Sequence, residues 1–446
     1  MAREAVGHMT LAHHPRPVRF DALAAGDGGP DAIRELAAAQ YSKHFILVRA
    51  VLNVAKSATG RPGRLARDGC DLLVAVQHYR PGIVDEVIRY PSVGAWAQRT
   101  LRFLHGDGAR YDDGTLPGAE PARLSVVAAA AAIRAGLAAE IEVQPAGGGV
   151  VLPSLGAVLV DASSAVVRSG GDAAEIRWPG GRVAIPEETH RDASSWLGLR
   201  RFQAGAFRTV IDDLDPFRMP AVNDLAPRLG TREAARWERG LTEGWQVLAT
   251  DHPDIAAEAA AAITVIVPRT RPRHGLVSSS TPETFGAIAL SEPPDPYSCA
   301  VTLTHEVQHL KLCALLDIVT LVQPDNGRRV YAPWRPDPRP ISGLLQGAYA
   351  YLGVVRFWQR QRQLASGAVR ARADREFARW RAGVAQALDT LQASSQLTPA
   401  GRDFVLGMAK TAAAWRDERV PRQAGLIARR QAESHRARWE AANRPS

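Results

Sequence analysis

The stretch TLTHEVQHLKLCALLD, from Thr302 to Asp317, contains His305-Glu306-Val307-Gln308-His309, an HExxH motif. On a helix, residues four apart share a face. His305 and His309 then stack one turn apart and can hold one divalent metal. Glu306 lies beside them, placed to act as a base on a metal-bound water or to tune the site. Ala300, Val301, Leu303, Val307, Leu310, Leu312, Ala314 and Leu315 make this a largely buried helix, and Pro293, Pro294 and Pro296 precede it. Burying His, Glu and His together without a metal costs desolvation. A metal pair is therefore expected over two core histidines, although so short a motif also arises by chance. The chain has only 12 histidines in 446 residues.

Two histidines need at least a third protein ligand. No third histidine follows at the spacing of the longer zinc motifs, because Leu310-Lys311-Leu312-Cys313 comes next. Gln346 stands where a second helix would face the metal, and is the first choice. Asp317 and Asp337 are carboxylate alternatives and His274 an upstream one. A Gln amide oxygen is a poor zinc ligand but can complete or border an iron site.

Outward from the motif, composition sets limits. The chain is 46% hydrophobic and 23% charged, with a net charge of +9. Its arginines are spread along the sequence and densest in the C-terminal helices. That pattern reads as a solvated face, so no nucleic-acid partner is expected. Cys70, Cys299 and Cys313 have neither metal-ligand nor disulfide spacing, which suits a reducing compartment. The first twenty residues lack the apolar run of a signal peptide, and no run reaches membrane-span length. The expected location is the cytoplasm.

The periodicity predicts helices over Asp31–Lys56, Leu65–Tyr79, Val93–His105 and Pro121–Ala139, giving a helical N-terminal domain over 1–140. From 141 to 215, short alternating apolar runs separated by Gly-Gly, Ser-Ser and Pro-Gly pairs predict hairpins. Asp212, Asp213 and Asp215 in this segment read as a solvated turn. The remainder, 216–446, is the HExxH domain. In it Thr231 is the expected N-cap of a helix over Thr231–Leu248, and ITVIVPRT is a strand. Phe285–Leu290 is a strand just before the metal helix. As an edge strand it is expected to pair with an extended peptide. Tyr331–Pro340 is a rigid Pro-rich loop, followed by a helix over Ile341–Leu364 expected to lie across the metal helix. The fold class is α+β, mainly helical, with a β-rich middle and a zincin-like metal-helix domain.

The runs SSSTPETFGAIALSEPPDP, TLTHEVQHLKLCALLD and YAPWRPDPRPISGLLQGAYAYLGVVRFW resemble the α-ketoglutarate-dependent HExxH-type peptide β-hydroxylases of actinobacteria, which modify ribosomally made peptides. FDALAAGDGGPDAIRELAAAQYSKHFILVRAVL resembles the start of that family. The resemblance implies Fe(II), 2-oxoglutarate, O2 and a precursor-peptide substrate hydroxylated at a β-carbon.

In that reading His305, His309 and a third ligand occupy one face of iron, leaving room for 2-oxoglutarate and oxygen. An arginine must meet the distal carboxylate through two parallel hydrogen bonds. Arg339 is the first candidate and Arg335 the second. Two alternatives stay open: a zinc metallopeptidase with Glu306 as general base, and a non-catalytic peptide-binding protein with a structural metal.

Overall fold

Proline and glycine punctuation shapes the elements of the computed structural model, which describes residues 19–57, 60–105, 120–171, 173–220, 222–273 and 275–443. The helices before the strands are α1 (Phe20–Ala24), α2 (Gly29–Ser57), α3 (Arg61–Tyr79), α4 (Ile83–Ile88), α5 (Pro91–Leu104) and α6 (Arg123–Ala135). Pro62 and Pro91 sit in the first turns of α3 and α5, where a fixed φ suits the helix and no backbone donor is wasted. Gly136, at φ 68°, closes α6 in the left-handed conformation.

Nine strands follow: β1 (Ala139–Val143), β2 (Gly149–Leu152), β3 (Gly156–Leu159), β4 (Ala165–Gly170), β5 (Ala173–Trp178), β6 (Gly181–Ile185), β7 (Trp196–Gly198), β8 (Arg200–Ala204) and β9 (Phe207–Ile211). The expected Pro-Gly hairpin is present, with Trp178 opposite Gly181 across β5 and β6. Then come α7 (Thr231–Asp251), α8 (Pro253–Ala262), β10 (Val265–Arg269), β11 (Ser278–Ser279), β12 (Ala287–Ser291), α9 (Pro296–Leu316), α10 (Ile341–Leu364), α11 (Gly367–Gln392), α12 (Pro399–Ala413) and α13 (Arg422–Ala442). The described chain is a mixed α and β protein, 55% helical with 15% strand. Among the described residues, no helix is long and apolar enough to cross a membrane.

The chain forms two compact units, one of Ala37–Leu310 and one of Met1–Leu36 with Lys311–Ser446. The expected segments at 1–140, 141–215 and 216–446 follow changes of element type. The contacts instead divide α2 after Leu36 and α9 after Leu310.

Within Ala37–Leu310 the strands make a sheet of order β1-β4-β5-β6, a sheet β2-β3-β7, and a mixed sheet β11-β12-β10-β9-β8. Ala128 to Ala132 of α6 are buried in the core with Val76, Trp96, Ile176 and Trp196. Small residues are needed there, because a Cβ on Gly69 of α3 would lie 2.7 Å from the backbone nitrogen of Ser125. His44, expected to be a packing residue, is 2% exposed. Its Nδ1 lies 3.1 Å from the Ile88 carbonyl.

Three expectations are corrected within this unit. First, the strand before the metal helix is not an edge. β12 pairs parallel with β10 and antiparallel with β11, and all five of its residues are buried. The ends of that sheet are β11 and β8. Second, the acidic turn is not solvated: Asp212, Asp213 and Asp215 are at most 4% exposed. Asp213 accepts from Arg200 Nη1 at 3.0 Å, Leu229 N at 2.9 Å and Arg228. Asp215 accepts from Ser92 Oγ at 2.7 Å and Arg123 Nη2 at 2.8 Å. Asp212 accepts from the Tyr90 hydroxyl at 2.7 Å. Burial and the nearby Asp215 raise the Asp212 carboxyl above its ordinary range. Third, α7 is capped by Gly230, not Thr231. That places Glu233 at the third helical position, where its Oε2 accepts from Gly230 N at 2.9 Å.

In the second unit α1 packs on α12, with Phe20 edge-on to Phe404 at 5.7 Å. Gly407 permits this approach, since a Cβ there would lie 2.6 Å from Ala24 Cβ. Tyr349 of α10 donates to the Leu23 carbonyl at 2.6 Å, tying α1 to the bundle.

Candidate metal centre

α9 begins with a strong local signal. Asp295 caps it, accepting from Ser298 N at 2.9 Å and Ser298 Oγ at 2.6 Å, and Pro296 occupies the first helical position. Gly244 of α7 lets this end approach closely, since a Cβ on it would sit 2.4 Å from Cys299 Sγ. Burial and then Asp295 push the Cys299 thiol up to about 12, so it is a packing group and not a nucleophile.

Two turns further on, the helix brings His305 and His309 together. Their Nε2 atoms are 3.1 Å apart, and their rings meet edge-on with centroids 4.7 Å apart. Both residues are half-buried. Burial, reinforced by His309, holds the His305 imidazole well below its usual range. A neutral imidazole keeps the lone pair that a metal needs. Two imidazole nitrogens bound about 2.0–2.1 Å from one ion, at angles between octahedral and tetrahedral, lie about 2.9–3.4 Å apart. The observed separation fits that span.

Glu306 is 1% exposed, and its Oε2 is buried with no hydrogen-bond partner among the described residues. A carboxylate oxygen in that position is costly to bury unless something donates to it. A ligand, a metal-bound water or a substrate proton would meet that need. These three side chains therefore suit a metal.

Gln346, Asp317 and Asp337 belong to the unit of Met1–Leu36 and Lys311–Ser446. Gln346, on α10, donates from Nε2 to Cys313 Sγ at 3.6 Å. This sets α10 against the last turns of α9. Asp317 is exposed just past the end of α9. Asp337 accepts from Arg335 Nε at 2.8 Å and Arg339 Nη1 at 3.1 Å, so both candidate arginines already clasp a carboxylate. Their loop is closed by Val330 and Arg339, which exchange backbone hydrogen bonds of 2.8 and 2.9 Å. Trp334 fastens it to α10, stacked on Tyr351 at 4.8 Å over Gly347, where a Cβ would lie 2.2 Å from the indole nitrogen. His274 lies outside the described residues. Among the described residues, no group of three or more His, Cys, Asp or Glu side chains gathers to hold a metal.

Sequence reasoning passed over Lys311. It is 1% exposed and donates to the carbonyls of Gly26 at 3.1 Å and Asp27 at 3.3 Å. The signal was a lysine inside an otherwise apolar run. Its ammonium pins the turn between α1 and α2.

No protein-family model matches this chain, and no curated protein matches it.

Proposed function

We propose that this protein is a mononuclear non-haem iron oxygenase that uses 2-oxoglutarate to hydroxylate a β-carbon in a ribosomally made precursor peptide. The observation that carries the metal is the pair of Nε2 atoms 3.1 Å apart on α9, beside a buried carboxylate oxygen that lacks a partner. The choice of iron and 2-oxoglutarate rests on the resemblance of the three quoted runs to the HExxH-type peptide hydroxylases. In this reading α9 is the active-site helix of a zincin-like domain, and the reducing cytoplasm is its place. None of the three cysteines forms a disulfide.

Fe(II), with 2-oxoglutarate and O2, supplies the oxidant that puts oxygen into a C–H bond. His305 and His309 would hold the metal through Nε2, and the depressed basicity of His305 keeps it ready to ligate at neutral pH. Gln346, chosen from its place in the sequence on the following helix, is the proposed third ligand. Arg339, or Arg335, would take the distal carboxylate of 2-oxoglutarate in place of Asp337, since a guanidinium fork can donate two parallel hydrogen bonds to a carboxylate. Glu306 holds a proton or a water beside the ligand set.

One observation favours a second reading. The same free oxygen of Glu306 would serve as the general base of a zinc peptidase. Anaerobic reconstitution with Fe(II), followed by optical titration with 2-oxoglutarate, separates the two. The oxygenase gives a weak visible charge-transfer band that is lost in His309→Ala. Absence of a band, together with stoichiometric zinc and peptide cleavage without 2-oxoglutarate, would replace it with the peptidase.

A further inference from the structure

Away from the histidine pair, in the unit of Met1–Leu36 and Lys311–Ser446, α11 and α13 enclose a groove of about 370 Å³. One wall is α11 from Arg379 to Gln386. The other is α13 from Gln431 to Glu440, with Tyr331 at the end. The groove exists because small residues face it: Ala382 and Gly383 on α11, Ala432 and Ala437 on α13. A Cβ on Gly383 would come within 3.2 Å of Pro333.

Three polar side chains facing this space, Arg379, Gln386 and Gln431, are not used up inside the protein. Arg379 is half-buried, with its guanidinium 4.2 Å over the Trp380 ring. Among the described residues it has no acid partner, and the Gln386 and Gln431 side-chain amides have no partner either. Arg436 lies 4.7 Å over the Tyr331 ring and pairs with Glu440 at 2.9 Å across an exposed surface. The Tyr331 hydroxyl and His435 Nδ1 are 2.8 Å apart. Burial, then Arg379 and Arg438, keep His435 below its ordinary range, so this end is neutral at the imidazole and cationic at the arginines. Glu433 is the other acid on the rim.

A guanidinium held over an indole face can still offer N–H groups, and these match a carboxylate. The eight-residue run from Arg379 to Gln386 spans about 10 Å of helix. An extended chain covers that length in about three residues. The side-chain amides can donate to and accept from a peptide backbone.

We infer that the groove between α11 and α13 docks a short, extended, acidic peptide segment, one carboxylate of which is held by the fork of Arg379. This does not rest on the metal reading, because the binding is measured without metal.

The probe is a fluorescein-labelled Ser-Glu-Asp-Leu-Ser peptide, with Ser-Gln-Asn-Leu-Ser as its uncharged counterpart. Both are titrated by anisotropy against the full chain in EDTA. The acidic peptide is expected to bind about tenfold tighter, as charge-assisted hydrogen bonds are about twice as strong as neutral ones. Arg379→Gln should erase that preference, and Arg379→Lys should restore only part of it, since lysine lacks the fork. Ala382→Leu, which fills the groove from an exposed position, should weaken both peptides with the thermal midpoint unchanged. Arg64→Gln, an exposed arginine of α3, is the control for the general attraction of a +9 chain. Equal binding of the two peptides overturns the inference. So does a preference that survives Arg379→Gln, or one that falls equally in Arg64→Gln.

Discussion

Asp213→Ala should cost about 3 kcal/mol, at the low end of the roughly 3–5 kcal/mol seen when one partner of a buried ion pair is removed. The carboxylate has no exposed side-chain surface. It holds Arg200 and Arg228, each about one-fifth exposed, and the backbone N–H of Leu229. Removal strips a buried N–H of its acceptor and two guanidiniums of their main counter-charge. The loss is held down because both arginines keep other acceptors. Arg200 retains Asp192 and the Leu229 carbonyl; Arg228 retains Asp192 and the Gly198 carbonyl. Asp213→Asn should cost less, about 2 kcal/mol, because an amide oxygen still accepts from Leu229 while its NH2 faces a cation. Asp192→Asn provides the contrast: its carboxylate is about half exposed, and surface pairs are worth about 0–1 kcal/mol. Urea titration followed by circular dichroism gives each value from the midpoint and slope. The reasoning fails if Asp213→Ala falls below about 1 kcal/mol, or if Asp192→Asn costs as much.

Ala287→Pro tests the corrected place of β12. Its N–H donates to the Thr284 carbonyl at 2.9 Å within a buried strand, so proline should destabilise the fold by about 1–3 kcal/mol for the orphaned carbonyl alone. Peptide affinity and iron content should then fall together; peptide affinity lost with iron content and thermal midpoint intact would restore the edge-strand reading. Metal-free stability should also decline with acid through His305. Its folded-state value lies below the ordinary 6.5, so below that pH the unfolded chain binds a proton that the folded chain refuses. Stability is therefore present above 6.5 and lost as pH falls. Melts in EDTA at pH 7.5 and 5.5 should show a larger drop for the parent than for His305→Gln; equal drops would count against it.

Much of the local structure was already legible in the chain. Pro62, Pro91 and Pro296 start helices because a proline's fixed φ suits a first turn, and Gly136 ends one because it tolerates positive φ. Gly-rich alternation marked the hairpins, and the four-residue spacing of His305 and His309 put their imidazoles on one face of α9. These are short-range consequences of backbone sterics and helical pitch. What depends on residues far apart was not legible. The aspartates at 212, 213 and 215 read as a solvated turn because their side-chain partners lie 13 to 123 positions away. Only folding brings in enough cations and donors to make their burial tolerable. β12 read as an edge because Ser278 and Ser279 show no strand pattern, yet they pair with Ala289 and Leu290. Lys311 drew no reading from the sequence, because the acceptors of its buried ammonium, the carbonyls of Gly26 and Asp27, lie some 285 positions earlier. The sequence determined where most segments coil, pleat and turn, and that two histidines would meet on one helix. The tertiary structure decided which charges could be buried and which strand stood inside its sheet, because a buried charge or backbone group is stable only where distant residues satisfy it.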